Sequence, residues 1–164
     1  MKNNIAAMAL GALVFAAAAA GAEVEIVTPK QAFERLQAPG TFLVDVRSVA
    51  EYVFVGHPEM GWNVPWSFWS ESEAKLVSNP DFIKDLKARF KPEDILLFIC
   101  RSGGRSLKAA QLAAADGFLK TISVSEGVEG GADEKGLRTI GGWKNSGLPF
   151  TYSLDPQKAY APAK

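Results

Sequence analysis

The stretch "ILLFICRSGGRSLKAAQLAAADG", residues 95–117, carries the clearest structural signals in the chain. Its first five residues are all apolar, as expected of a strand that is covered on both faces in a parallel sheet. The alanine-rich segment from Arg105 to Asp116 predicts a helix, and Gly117 closes it. Between them lies a turn with two arginines, two glycines and Cys100, the only cysteine of the chain. The stretch therefore predicts a strand, a tight loop and a helix in succession.

The alternation of strand and helix continues on both sides of this stretch. Apolar runs at 24–28, 41–46 and 119–124 predict strands, segments 29–37, 48–54 and 80–90 predict helices, and residues 55–79 and 127–142 are interpreted as irregular or glycine-rich. This alternation is typical of an α/β fold with a mainly parallel sheet. One domain is expected over residues 23–154, followed by a flexible C-terminal tail at 155–164.

The first 22 residues have the composition of an export signal. A short positive start with Lys2 precedes an unbroken apolar run from Ile5 to Ala20, and Ala20-Gly21-Ala22 provides the small residues of a signal peptidase site. The run of 16 residues is shorter than the ~20 that a bilayer-spanning helix needs. Cleavage after Ala22 and a periplasmic location are therefore favoured over a retained membrane anchor.

The charge and cysteine content narrow the classes of function. Removal of Lys2 with the signal leaves 17 basic against 18 acidic residues. This balance gives no basic surface for nucleic acid and no attraction to an anionic membrane after signal cleavage. Exported proteins are usually stabilised by paired cysteines, but a single cysteine cannot form an intramolecular disulfide. Cys100 is therefore either an inert residue at the end of a strand or the functional centre.

The loop after the strand has the features of an anion-binding nest. Ligands of parallel sheets bind beyond the carboxyl ends of the strands, which is where Cys100 is expected. Gly103 and Gly104 allow backbone amides to turn inward, and the next helix adds the unpaired N–H groups of its first turn. Arg101 and Arg105 add positive charge, which would favour a thiolate. We therefore interpret Cys100 as a nucleophile in preference to a small core residue.

Two chemistries suit such a nest, namely phosphoryl or arsenate chemistry and sulfur transfer. Cysteine phosphatases place an arginine six positions after the nucleophile, whereas here Ser106 holds that position and Arg105 comes one residue earlier. The shorter loop encloses a smaller space, which fits one additional sulfur atom better than a phosphate group. Sulfur transfer is favoured, and a phosphatase or arsenate reductase is the alternative within the same fold.

Several segments together resemble the rhodanese family of sulfurtransferases. They follow the family's order along the predicted mature chain and are "LVDVR" (43–47) with Glu51-Tyr52, "GHPEMGWNVP" (56–65), "CRSGGRS" (100–106), "SEGVEGG" (125–131) and "GWKNSGLP" (142–149). The third of these resembles the active-site loop. Two departures from the family pattern are an altered middle of the 56–65 turn and an additional segment at 132–142 before Trp143.

The resemblance implies a rhodanese-like α/β domain with a five-stranded, mainly parallel sheet flanked by helices. It also implies that Cys100 takes a sulfane sulfur from an anionic donor, such as thiosulfate or a polysulfide, and passes it from a persulfide to a thiol or a cyanide-like acceptor. No metal and no organic cofactor is implied. The residues that would bind the donor are Arg101, Ser102, Gly103, Gly104, Arg105 and Ser106. A sulfur-carrier protein is a further candidate partner, and a persulfide carrier or sensor without useful turnover is the alternative from another class.

Four more residues are interpreted as structural support rather than as an acid–base set. They are Asp45, Arg47, Glu51 and His57. His57, the only histidine, occupies a turn where the family has a structural histidine, and transfer to a ready thiolate needs no base. Arg47 and Glu51 are expected to pair and to brace the loop after the second strand.

Two other groups of residues have both a structural and a functional interpretation. Aromatic residues cluster in one segment and are Trp62, Trp66, Phe68 and Trp69. Packing under a long loop is favoured for them over a partner-docking rim. Asp133, Glu134 and Gly136 suggest a cation loop, but their spacing fits no Ca²⁺ pattern, so no metal site is predicted.

Overall fold

The structure is a computed structural model that describes residues 24–164. The predicted export signal lies outside the described residues. The helices are α1 (Pro29–Arg35), α2 (Val49–Phe54), α3 (Phe82–Lys87) and α4 (Gly104–Ala115). The strands are β1 (Glu25–Val27), β2 (Thr41–Asp45), β3 (His57–Pro58), β4 (Gly61–Asn63), β5 (Ser67–Ser70), β6 (Lys75–Ser78), β7 (Ile95–Ile99), β8 (Lys120–Val124), β9 (Gly131–Ala132), β10 (Arg138–Ile140) and β11 (Phe150–Thr151). Within residues 24–164, no helix is long and apolar enough to cross a membrane.

The main sheet has five strands in the order β1-β8-β7-β2-β4, and every neighbouring pair is parallel. The central strand β7 pairs with β2 over its full length, from Thr41 opposite Ile95 to Asp45 opposite Ile99. The predicted α/β fold with a five-stranded parallel sheet is confirmed. Because Cys100 directly follows β7, it stands at the carboxyl edge of the central strand, where parallel sheets collect ligands.

Both faces of this sheet are covered, which explains the unbroken apolar run of β7. Leu96 and Phe98 point into a core with α3 and with the alanine-rich face of α4, and Cys100 belongs to the same core. Leu97 and Ile99 point into the opposite core, which is closed by α1 and by a fully buried Trp143. Successive residues of a strand point to opposite faces, so a strand covered on both sides is apolar at every position.

The segment at 55–79, interpreted from the sequence as irregular, contains four short strands. β4 forms the fifth strand of the main sheet beside β2, and β3 pairs with β11 near the C-terminus. The antiparallel hairpin of β5 and β6 follows. β4 has only three residues, and it is held by pairing with β2 and by the Tyr52 hydroxyl, which donates to the Gly61 carbonyl at 2.8 Å. Its extended conformation therefore depends on contacts distant in sequence.

The segment at 132–142, which departs from the family pattern, is part of a small hairpin of β9 and β10. The Asp133 carboxylate closes its turn by accepting hydrogen bonds from the Lys135 and Leu137 amides and from the Thr139 hydroxyl, at 2.9–3.0 Å. These local hydrogen bonds lower the pKa of Asp133, the bond from Leu137 most of all. Asp133 thus organises a surface turn.

The C-terminal tail, predicted from the sequence to be flexible, lies against the folded body. The Lys158 carbonyl accepts from the Asn63 amide at 2.8 Å, and Arg89 donates to the Ala159 carbonyl at 2.7 Å. The buried Asp85 carboxylate accepts from the Tyr160 hydroxyl at 2.9 Å and from the Ala163 amide at 2.8 Å. These contacts differ from the expected fraying because the edge strand β4, Asp85 of α3 and Arg89 after α3 each offer the tail a hydrogen-bond partner.

Candidate active site

Cys100 is buried, with 2% of its surface exposed, and its sulfur faces the loop that follows it. The Gly103 amide donates to Sγ at 3.1 Å. Gly103 adopts φ +101°, a conformation that glycine reaches without strain, and the chain turns there from the loop into α4. The helix α4 starts at the next residue, so the unpaired N–H groups of its first turn lie at the same place.

Ser106 lies behind Cys100 and does not line the cavity at this cysteine. Its hydroxyl is buried, lies 3.7 Å from Sγ and donates to the Gly103 carbonyl at 2.7 Å. The Ser123 hydroxyl donates to it at 3.2 Å from the neighbouring strand β8. Ser106 therefore ties the loop to the first turn of α4 and to the sheet.

The loop is held from behind by the segment after β8. The Val128 amide donates to the Cys100 carbonyl at 2.7 Å, and the Glu129 amide donates to the Arg101 carbonyl at 3.0 Å. Gly127, directly before Val128, has φ +66°, and a Cβ there would be 2.6 Å from the Arg101 carbonyl oxygen and nearer still to that of Cys100. The Cys100 and Arg101 carbonyls are thereby bound to this segment, whereas the Gly103 amide is bound to the Cys100 sulfur.

Arg105 braces the loop through Glu51. Its two Nη groups donate to the two carboxylate oxygens at 2.8 and 2.6 Å, and both side chains are about one-fifth exposed. Burial alone would raise the pKa of Glu51, but the hydrogen bonds from Arg105 and Ser48 outweigh it and lower the pKa to about 2. Burial would likewise lower the pKa of Arg105, and the bonds to Glu51 outweigh it and raise that pKa. The charge of Arg105 is thus compensated within the protein.

The other support residues form a separate buried group. Arg47 pairs with Asp45, not with Glu51 as expected, and both are fully buried. Arg47 donates to Asp45 through Nε and Nη2 and to the Gly56 carbonyl at 2.8 Å. The expected pairing of Arg47 with Glu51 is therefore wrong, because Asp45 lies within the same turn and Arg105 reaches Glu51 from α4.

His57 packs away from the loop. Its ring stacks on Tyr52 with centroids 3.7 Å apart, and Nδ1 lies 3.0 Å from the Tyr52 carbonyl. Burial lowers the pKa of His57, which favours the neutral ring at neutral pH. His57 does not line the cavity at Cys100.

A cavity of about 390 Å³ opens onto Cys100. Residues of the loop, of α2, of α4 and of the β5–β6 hairpin line it, and they are Glu51, Trp66, Leu76, Cys100, Arg101, Ser102, Gly104, Arg105 and Lys108. Arg101 and Lys108 are exposed and form no ion pair within residues 24–164. Since Glu51 and Arg105 compensate each other, these two cations give the cavity its positive charge. A larger cavity, about 680 Å³, opens at the opposite edge of the sheet, where β2, β7 and β8 begin.

The sequence missed Lys108 as a residue of this cavity. It follows Arg105 by three positions, which places the two on one side of a helix. A helix predicted from Arg105 onward contains this signal, so the residue could have been found from the helical spacing alone.

The aromatic cluster divides into packed and exposed members. Trp62 packs edge-on against Phe42 and Phe90, at 6.3 and 5.8 Å between ring centroids, and Trp66 packs against Phe82 at 5.2 Å. Trp69, in contrast, is 58% exposed. Core packing therefore describes the first two residues, whereas Trp69 is mostly exposed and does not belong to either buried core of residues 24–164.

This arrangement can stabilise negative charge at Sγ and at an atom bonded to it. The Gly103 amide and the start of α4 act at short range, and the two exposed cations act from the rim. The site has the parts needed for a thiolate nucleophile that reacts with an anion.

Comparison with known proteins agrees with this geometry. A family profile described as a Rhodanese-like domain matches residues 28–134. The crystal structure of Rv0390 from M. tuberculosis is similar, with a TM-score of 0.68 and 35% identity, over 79% of this chain and 98% of that one. The polysulfide-sulfur transferase homodimer from Wolinella succinogenes has a TM-score of 0.53 and 25% identity, over 81% of this chain and 82% of that one.

Curated relatives extend the comparison. The thiosulfate sulfurtransferase GlpE of Actinobacillus pleuropneumoniae is 28% identical over 124 residues, which cover 76% of this chain and 90% of that protein. The senescence-associated protein DIN1 of Raphanus sativus is 32% identical over 111 residues, which cover 68% of this chain but only 59% of that protein. With its five-stranded sheet, its loop around Cys100 and these similarities, the chain belongs to the rhodanese-like domain family.

Proposed function

We propose that this protein is a sulfurtransferase in which Cys100 takes a sulfane sulfur from an anionic donor and passes it on from a persulfide. The observation that carries the proposal is the Gly103 amide, 3.1 Å from Sγ beneath a cavity with two exposed cations. A thiolate and the terminal sulfur of a persulfide are both anions that such amides favour. The similarity to a thiosulfate sulfurtransferase and to a polysulfide-sulfur transferase supports the same class of reaction.

The proposed reaction has two balanced steps. The Cys100 thiolate attacks the outer sulfur of thiosulfate, so that a new S–S bond forms on Cys100, the S–S bond of the donor breaks, and sulfite leaves with the electron pair. A thiolate or cyanide then attacks the outer sulfur of the persulfide, and the Cys100 thiolate is released. Proton transfer is not required in either step, which agrees with a cavity whose lining includes no histidine.

The charged residues divide the work between donor binding and support. Arg101 and Lys108 would meet the incoming anion, because their charges are not compensated by an ion pair in the described chain. Arg105 would hold the loop through Glu51. Ser102 and Gly104 line the cavity between them and would contact the donor.

Phosphatase or arsenate reductase chemistry is supported less well. Such chemistry favours a bidentate arginine that binds the oxyanion. Here both Nη groups of Arg105 are bound to Glu51, so the arginine of the loop would have to leave a partly buried, bidentate ion pair to bind phosphate.

The decisive experiment is the intact mass of the purified protein after incubation with thiosulfate or polysulfide. We expect the mass to increase by sulfur atoms, cyanide to remove them as thiocyanate, and Cys100→Ser to gain none. Repeated turnover with thiosulfate and cyanide would distinguish an enzyme from a persulfide carrier. An unchanged mass with every sulfane donor would rule out the sulfurtransferase.

We propose further that the protein acts after export to the periplasm. The support is the apolar run and the small residues before Glu23 in the sequence. Expression in a Gram-negative host should yield a chain that begins at Glu23 in the periplasmic fraction. A chain that retains Met1, found only with the cytoplasm, would contradict this proposal.

A further inference from the structure

One wall of the Cys100 cavity is apolar and comes from the β5–β6 hairpin. Trp66 and Leu76 line the cavity. Trp69 lies directly opposite Leu76 in the antiparallel register, and directly opposite residues point to the same face of a hairpin. Trp69 is 58% exposed and Leu76 is 41% exposed. The apolar face that begins inside the cavity therefore continues outside it as far as Trp69.

The opposite face of the hairpin is anchored to the body. Phe68 lies opposite Val77, and its ring packs on Tyr160 of the C-terminal tail with centroids 5.6 Å apart. Trp66, which directly precedes β5 and lines the cavity, also packs edge-on against Phe82 and ties the start of the hairpin to the core. The hairpin is thus fixed by one face, and its Trp69 face is left uncovered by the described chain.

The same cavity also has a positive part. Arg101 lies on the loop and Lys108 on α4, and both line the cavity. At the turn of the hairpin, Lys75 pairs with Glu73 and does not add to this charge. An occupant that extends out of the cavity therefore meets both an apolar surface and two cations.

We propose that this surface docks a protein partner that accepts the sulfur, and that the partner presents a cysteine thiol in a segment with an apolar side chain and carboxylates near it. Thiosulfate and cyanide have no apolar group and cannot use the Trp69 face. A partner segment would cover Trp69 and Leu76 with its apolar side chain and place its carboxylates on Arg101 and Lys108. Aromatic residues that are exposed beside a reactive site are typical anchors of protein interfaces.

The inference rests on the proposed function, because the partner receives the Cys100 persulfide sulfur. The partner thiolate attacks the outer sulfur, a new S–S bond forms on the partner, and the S–S bond at Cys100 breaks to release its thiolate. The electrons balance within this exchange, so no external oxidant or reductant is needed.

The test compares acceptors of different chemistry on the loaded protein. The protein is loaded with sulfur from thiosulfate, separated from the donor and mixed with synthetic cysteine peptides or with 2-mercaptoethanol. The first peptide has a leucine and two glutamates around its cysteine, the second has serine for the leucine, and the third has lysines for the glutamates. The measured quantity is the rate at which peptide with one additional sulfur atom appears. We expect the first peptide to react about tenfold faster than either of the other two, as loss of an interface anchor predicts.

Trp69→Ser tests the surface itself, and Leu119→Ser is the matched control. Leu119 is 75% exposed and lies at the opposite edge of the sheet. We expect Trp69→Ser to lower the ratio of the peptide rate to the 2-mercaptoethanol rate by about tenfold, and Leu119→Ser to leave the ratio unchanged. Thermal unfolding of each variant verifies that it is folded.

The outcomes separate this inference from the proposed function. If Cys100 takes no sulfur from any donor, the proposed function fails and the docking inference fails with it. If Cys100 is loaded and transfers to 2-mercaptoethanol, but the three peptides react alike or Trp69→Ser leaves the ratio unchanged, only the docking inference is wrong.

Discussion

At the scale of single residues, Arg101 and Arg105 carry the same charge in different surroundings. Arg101 is exposed at the rim of the cavity, whereas Arg105 is bound to Glu51 through both Nη groups. We expect Arg101→Ala to lower kcat/KM for thiosulfate by the equivalent of about 1.5–3 kcal/mol, the contribution typical of a hydrogen bond to a charged group. Transfer from a small alkyl persulfide, which carries one negative charge where thiosulfate carries two, should be lowered much less. The measurement is kcat/KM for both donors at two ionic strengths, since rim charges are screened by salt.

Arg105→Ala provides the comparison for this prediction. It leaves the partly buried Glu51 carboxylate without its partner, so kcat/KM for both donors and the melting temperature should decrease together. If Arg101→Ala instead lowers kcat/KM equally for both donors, Arg101 supports the loop and does not bind the donor.

Glu51 predicts a pH dependence of stability. Its folded pKa is lowered to about 2 from 4.5, so the carboxylate stabilises the fold above pH 4.5, and this contribution disappears as the pH falls from there toward 2. The shift corresponds to roughly 3 kcal/mol. Glu51→Gln keeps an amide in the capping box with Ser48 but removes the charge. The free energy of unfolding in urea should be well above that of Glu51→Gln for the wild type at pH 6, and the two values should converge near pH 2.

The control is Glu25→Gln, since Glu25 pairs with Arg35 on the exposed surface. Exposed pairs contribute about 0–1 kcal/mol, so this variant should differ little from wild type at any pH. A gap between wild type and Glu51→Gln that stays constant from pH 6 to pH 2 would contradict the role of the Glu51 charge.

The residues of the loop could be found from the sequence, but their partners could not. The single thiol, the paired glycines and the start of a helix are adjacent in the chain, and together they predict a nest. Glu51 lies 54 positions before Arg105, and nothing local indicates that the two meet. Arg47 was assigned to Glu51 for the same reason, whereas its partner is Asp45.

At the scale of elements, the clearest prediction is the strand, loop and helix at 95–117, because its signals are local and strong. β4 was missed because its three residues include Gly61 and Asn63, which have low strand propensity. It is a strand because β2 offers a free edge beside it. The β5–β6 hairpin is not predicted, because its aromatic residues fit packing under a long loop equally well.

The turn behind the active-site loop gives a prediction with a matched control. Gly127 and Gly147 have nearly the same backbone angle, φ +66° and +70°, but only Gly127 lies against other atoms, whereas a Cβ at Gly147 meets none within 4 Å. Alanine should cost roughly 1–2 kcal/mol at Gly147 from backbone strain alone. At Gly127 it should also push the Cys100 and Arg101 carbonyls away, so the decrease in the free energy of unfolding, measured in urea, should be larger.

Sulfur uptake measured by intact mass is the second readout for this pair. Uptake should slow in Gly127→Ala and stay unchanged in Gly147→Ala. Equal losses of stability with normal uptake in both would show that the turn does not position the loop.

At the scale of the whole molecule, the C-terminal tail joins parts that are distant in the chain. It pairs with the edge strand β4 through Asn63, binds Asp85 of α3 and packs Tyr160 on Phe68 of the hairpin. Its sequence is polar and has no periodic pattern, so these contacts could not be predicted. Their effect is that the hairpin beside the cavity is fixed to the same body that carries Cys100.

Tyr160 provides the test of this arrangement, and Tyr152 provides its control. The Tyr160 hydroxyl donates to the buried Asp85 carboxylate at 2.9 Å, and burial together with that carboxylate raises the pKa of Tyr160 to about 12, so the hydroxyl stays protonated at neutral pH. The Tyr152 hydroxyl accepts from Lys144 on the exposed surface. Tyr160→Phe should lower the free energy of unfolding in urea by about 1.5–3 kcal/mol, because a buried carboxylate loses a donor. Tyr152→Phe should change it by no more than about 0.5 kcal/mol. Small and equal changes in both variants would show that the tail does not stabilise the domain.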